Sequence, residues 1–199
     1  MRAVFHLGVA ALLAMLTGMN TLMADDAEAG YAQTAHQLVR ELARTLKHKL
    51  TDALDEQGKI QAIETCHLNA PDIVKRLSER SGWSIRRTSL KVRNLEDAPD
   101  KWELGVLKDF ERRRAAGEPV DNLEHQAVVQ VQGKPVFRYM RAIPVKNLCL
   151  NCHGEHLDSK VRAQLDSLYP FDQAIGFRLG DIRGAYSLSR PLEANRAAP

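Results

Sequence analysis

From Ala32 to Asp55 the apolar residues Ala35, Leu38, Val39, Leu42, Leu46, Leu50, Ala53 and Leu54 recur at three-to-four spacing. This is the signature of one face of a long amphipathic helix. Gln57-Gly58 breaks the pattern. Ile60, Ile63, Cys66 and Ala70 then share a face of a second helix, which points Cys66 inward. Pro71 is expected to open a further helix to about Arg80, because proline suits the first helical position. Ser81-Gly82 ends it, and Trp83 to Val92 reads as a strand with Trp83, Ile85 and Arg87 on one side.

The second half changes period. Pro99 to Arg114 is predicted helical, with Trp102, Val106, Leu107 and Phe110 on one face, and the Glu111-Arg-Arg-Arg114 end complements the helix dipole. Ala127 to Gln132, a turn at Gly133-Lys134, and Val136 to Val145 form a hairpin signal. Lys160 to Leu168 is predicted as a short helix and Asp181 to Leu188 as a closing strand. Long helices followed by a small antiparallel sheet make the chain an α+β domain.

The N-terminus changes the compartment rather than the fold. Arg2 precedes an uncharged stretch from Ala3 to Ala24, followed at once by Asp25 and Asp26. It reads as a secretory signal over residues 1–24, cleaved after Ala24. An uncleaved membrane anchor is the competing reading, since the stretch is long enough to span a bilayer. Gly18, Asn20 and Thr21 favour cleavage. The remaining chain, 25–199, is expected in the periplasm as one domain. Cleavage lowers the formal charge from +3 to +2, a balance that gives no reason to expect a nucleic-acid partner.

The chemistry is concentrated in Cys149-Leu-Asn-Cys152-His153. Cys-x-x-Cys-His is the attachment peptide of c-type haem: two thiols one turn apart add to the vinyl groups, and the adjacent His supplies an axial imidazole. A zinc half-site would want two further ligands at short spacing, and the only other thiol, Cys66, is far upstream. A redox Cys pair needs no trailing His. The expected cofactor is one covalently attached haem c, with His153 as an iron ligand.

The ligand across the iron is narrowed by elimination. A class I cytochrome c carries a ligating Met downstream of its motif, and no Met follows His153. Met140 is the one Met beyond the leader. His156 lies too close to His153 to reach the opposite face. Cys66, His67, His36, His48, His125 and Met140 remain. Cys66 is the leftover thiol of an exported protein, and so is either buried or in use. A four-helix cytochrome c′ is a minor alternative, because 46 residues follow His153 and a hairpin precedes the motif. Arg138 and Arg141 read as a solvated basic strand face, with pairing to haem propionates as the alternative.

Ala62-Ile-Glu-Thr-Cys66 with Ala70-Pro71, Gly82-Trp83-Ser-Ile-Arg-Arg-Thr-Ser89-Leu-Lys-Val-Arg-Asn94, Ala98-Pro-Asp-Lys-Trp102-Glu, the haem motif, Leu168-Tyr-Pro170 and Gly180-Asp-Ile-Arg-Gly-Ala185 together resemble the bacterial PAS-like c-type haem domain. That family is catalogued mostly as a domain of unknown function. The resemblance covers nearly all of the mature chain. It implies a PAS-like fold and haem held between the motif His and a Cys from the N-terminal helices, which places Cys66 opposite His153. His67 beside the thiol departs from that pattern and leaves a bis-His haem open.

A thiolate donor lowers the iron potential relative to Met, and its release would admit CO or NO. The expected role is redox or gas sensing toward a signalling partner, with a soluble electron carrier as the alternative. An enzyme is not expected, because Cys66 would fill the site a substrate needs. Membrane contact is expected only if the leader stays.

Overall fold

The computed structural model describes residues 7–192, with side chains from Glu28 onward. Arg2 lies outside the described residues, and the expected cleavage point at Ala24 lies before the first described side chain. Among the described residues no helix is long and apolar enough to cross a membrane.

Helix α1 (Leu7–Ser81) is interrupted at Gly58, whose φ of 79° and ψ of 178° lie outside the helical region. A side chain there would meet the left-handed steric penalty that glycine escapes. The chain reverses at this point, and the two arms pack side by side: Ala35, Leu38, Val39 and Leu42 of the first share a cluster with Ile73 and Leu77 of the second. An ion pair between Glu41 and Arg80 joins them again. The second arm is continuous from 59 to 81, so Pro71 lies inside a helix rather than at its start. Proline costs the helix one backbone bond at this point. Burial of Ile63, Ala70, Ile73 and Leu77 on one face of the arm offsets the loss.

Four antiparallel strands follow: β1 (Ser84–Thr88), β2 (Glu124–Val131), β3 (Lys134–Pro144) and β4 (Ile182–Pro191), in the order β1-β4-β3-β2. Tyr139 of β3 pairs with Leu188 of β4, which pairs with Ile85 of β1. The strand predicted to Val92 ends at Thr88, and the chain passes through a short turn at Leu95–Asp97. The β2–β3 turn falls on Gln132-Gly133, both at positive φ, one residue earlier than predicted.

Side-chain alternation gives the sheet two covered faces. Ile85, Phe137, Tyr139 and Leu188 face the α1 hairpin. Met140, Ala142 and Ala185 face helix α2 (Lys101–Ala115) through Val106, Leu107 and Phe110. Each fully buried Leu or Phe contributes roughly 1.5–3 kcal/mol of apolar burial. The hairpin arms are held by this contact to the sheet rather than by helix propensity alone. Gly184 permits the close β1–β4 approach: a Cβ there would lie 2.3 Å from the Thr88 carbonyl oxygen.

Arg138 is not on a solvated face. Its guanidinium lies 2.8 Å from Asp100 and 3.4 Å from the fully buried Glu103, and stacks over Trp102 at 4.3 Å. It pairs with the capping box that starts α2, in which Asp100 and Glu103 exchange hydrogen bonds. Arg141 donates to the Asp121 carbonyl.

Candidate functional site

The Cys-x-x-Cys-His run leaves the end of β3 through Val145, which is fully buried. Its backbone is tied to the approach to β4, with Val145 N–H donating to the Asp181 carbonyl at 2.8 Å and Gly180 N–H to the Val145 carbonyl at 3.0 Å. A short turn at Asn147–Cys149 then runs directly into helix α3 (Leu150–His153). Cys149, Cys152 and His153 are therefore held on one coiled segment. Cys66, Cys149 and Cys152 are free thiols, each half-buried.

The loop after helix α4 (Ser159–Leu168) straps this segment. Phe177 N–H donates to the His153 carbonyl at 3.0 Å and Gly176 N–H to the Gly154 carbonyl at 3.1 Å. The His153 ring is fixed as well. Its Nδ1 lies 2.7 Å from the Ala174 carbonyl oxygen, which can only accept, so Nδ1 carries the proton. The lone pair is on Nε2. Burial, then the nearby Arg183 and Arg93 cations, hold this imidazole well below the usual range of histidine protonation. A neutral ring with Nδ1–H committed to a carbonyl is the form in which histidine ligates metals.

Cys66 reaches the same region from the second arm of α1. Ile60 and Ile63 of that arm pack with Val161, Leu165, Tyr169 and the Cys152 side chain. Ile63, three residues before Cys66, thus brings the arm that carries this thiol against the haem motif. Burial pushes the Cys66 thiol up, while Arg87 and Arg93 favour its anion. His67, beside it, has its Nδ1 2.9 Å from the hydroxyl of Tyr169, a residue of this same cluster.

Of the other ligand candidates, none joins this group. Met140 is fully buried in the α2 core. His36 lies 3.5 Å from Glu124, His48 bonds Asp52, and His125 leans on Trp102. His156 is exposed.

The structure adds a group of arginines that sequence reasoning missed. Arg87 comes from β1, Arg93 from the segment after it, and Arg183 from β4. Arg183 donates from Nη1 to Ser89 Oγ at 3.1 Å and to the Lys91 carbonyl at 3.2 Å, and its Nε lies 3.4 Å from His153 Nε2. Burial beside Arg93 and Arg87 lowers its pKa to about 10. Burial likewise raises the Asp97 carboxyl, against the opposing charges of Arg87 and Arg183. The inward placement of Arg87 was legible from strand alternation; Arg93 and Arg183 lie in irregular or bulged backbone that no periodicity marks.

Among the described residues no three His, Cys, Asp or Glu side chains converge to hold a bare ion.

Residues 19–191 match the Tll0287-like family. The chain belongs to that family. The matched stretch spans Cys66, the haem motif and all three arginines. The crystal structure of the cyanobacterial haem protein Tll0287 has the same fold, with a TM-score of 0.63 at 24% sequence identity, covering 82% of this chain and 96% of that one. No curated protein matches the chain. The α+β organisation expected from the hydrophobic pattern is the one this family shares.

Proposed function

We propose that this member of the Tll0287-like family is an exported monohaem c-type cytochrome that works in redox or gas sensing. One observation carries the reading: a neutral His153, its Nδ1–H tied to the Ala174 carbonyl, sits on the same turn as two free thiols, against the arm of α1 that carries a third. That Tll0287 is a haem protein with this fold supports haem as the group.

The donor set present fits such a group, with the Arg183 guanidinium turned from His153 Nε2 to admit it. Cys149 and Cys152 would hold it by thioether bonds, and His153 Nε2 and Cys66 would be its iron ligands. Arg87 and Arg183, with no carboxylate hydrogen-bonded to either among the described residues, suit the two propionates, where charge-assisted bonds are strongest. When bound, the haem supplies a one-electron iron centre. The thiol of Cys66 is costly to ionise where it is buried, and Arg87 and Arg93 reduce that cost.

The placement of Cys66 favours sensing. It sits on the arm of α1 beyond Gly58, so a change in what its sulfur binds bears on that whole arm, which a signalling partner would read. CO or NO is the ligand class that would compete with Cys66. With Cys66 in place the role is binding rather than catalysis. Export to the periplasm follows from the leader, since haem is attached to such motifs there.

A soluble electron carrier is the second reading. It draws on the tight fastening of His153, whose ring and backbone are each hydrogen-bonded to the 174–177 loop, because fixed ligands speed electron exchange.

The test is production of the full chain with a haem-attachment system, followed by a pyridine haemochrome under denaturing conditions. One covalent haem per chain is expected. A colourless chain overturns the reading.

A further inference from the structure

We propose that Arg93 and Asp172 form a buried clasp that positions His153 and tunes the iron it would hold. This rests on the reading of His153 as a haem ligand. Neither residue is hydrogen-bonded to the His153 ring, whose partners are Ala174 and Arg183. Arg93 Nε donates to Asp172 Oδ2 at 3.1 Å, and the side chains of the pair are only 13% and 4% exposed. Arg93 Nη2 donates to the Cys152 carbonyl at 2.6 Å and to the Ala174 carbonyl at 3.3 Å. The other Asp172 oxygen accepts the Ala174 N–H at 2.7 Å. Ala174 is the residue whose carbonyl takes the His153 Nδ1 proton.

One ion pair thus joins the backbone of the haem motif to the loop that orients its imidazole. The Asp172 carboxylate holds the peptide before Ala174, and the Arg93 guanidinium holds the carbonyl after it and the carbonyl of Cys152. The His153 hydrogen bond is set from both sides. Such outer partners fix ring orientation and ligand strength. A buried pair is also an uneven pair when one member is removed, because the survivor keeps its charge in a poorly screened place. The two single variants therefore push the iron potential in opposite directions. Loss of packing alone would not separate them by sign.

The experiment is a redox titration of the haem-loaded full chain carrying Asp172→Asn, Arg93→Gln, or both. Asp172→Asn leaves Arg93 uncompensated and is expected to raise the midpoint potential; Arg93→Gln leaves Asp172 and is expected to lower it. The double variant falls between them. Shifts of the same sign, or none at full haem content, overturn the clasp while leaving the haem reading intact. Should either single variant fail to accumulate, Arg93→Met/Asp172→Leu replaces the pair with apolar bulk, and the readout is exchange of the His153 Nδ1 proton followed by NMR. Exchange at least tenfold faster than in the parent supports the clasp, and unchanged exchange overturns it. A parent chain without haem removes the underlying reading and this inference with it.

Discussion

Arg183 Nε lies 3.4 Å from Nε2 of His153, so the nitrogen left free by the Ala174 hydrogen bond faces a guanidinium. A haem held by His153 would require that guanidinium to turn aside, and Arg183 would then be available to pair with a propionate. Arg183→Gln removes a poorly solvated positive charge beside the iron. The expected result is a lower midpoint potential, by on the order of tens of millivolts for one charge at intermediate dielectric. A redox titration of the loaded chain checks it, and a potential that rises would contradict the charge argument.

Gly184 and Gly105 form a matched pair. A methyl group at 184 would lie 2.3 Å from the Thr88 carbonyl oxygen, against backbone that cannot yield without separating β1 from β4. Gly184→Ala is expected to cost about 1–3 kcal/mol as an overpacking change. Gly105, within α2, has nothing within 4 Å of its added Cβ. Gly105→Ala is expected to stabilise by up to about 1 kcal/mol through helix propensity. Urea unfolding of both variants gives the comparison, and the order should not invert.

Asp100 contributes a pH-dependent term. Burial raises its carboxyl, but the Glu103 N–H and the Arg138 guanidinium outweigh this and leave its pKa lowered. A depressed acid stabilises the fold above its unfolded pKa, and this contribution fades as pH falls through the folded value. Asp100→Ala is expected to cost about 1 kcal/mol at neutral pH as a lost N-cap. The difference from the parent should shrink on acidification below about pH 4, the usual carboxylate range. Thermal melts at neutral and acid pH check both parts.

Gly58→Ala tests the reversal that brings the arm carrying Cys66 back against α4 and Cys152. At φ 79° an alanine pays roughly 1–2 kcal/mol, and a straighter α1 relieves that strain by separating the arms. Reduced stability is expected together with weaker iron–sulfur features in the loaded protein. Unchanged spectra at reduced stability would show that the kink and the ligand are independent.

Much of this was legible because hydrophobic periodicity reports burial. The inward faces of Ile63 and Ala70, of Trp83 and Ile85, and of Val106, Leu107 and Phe110 follow from spacing alone, as does the break at Gly58. The continuous helix through Pro71 was not, because tertiary burial of Ile73 and Leu77 decides against a local break. The strand order was hidden too, since the pairing of β4 between β1 and β3 depends on contacts distant in sequence. At the site, the motif announced three residues by their fixed spacing. The arginine group and the Arg93–Asp172 pair carry no such spacing: Arg93 and Asp172 come together only when the 174–177 loop folds over His153. Arg138 misled because strand alternation places it on a face that α2 covers.

The most direct measurement compares ferric absorption and electron paramagnetic resonance spectra of the full chain, produced with haem-attachment machinery, with those of Cys66→Ala. The account predicts a low-spin thiolate signature in the parent that disappears from the variant while both keep one covalent haem. A colourless parent, or the same low-spin signature in both proteins, would contradict it.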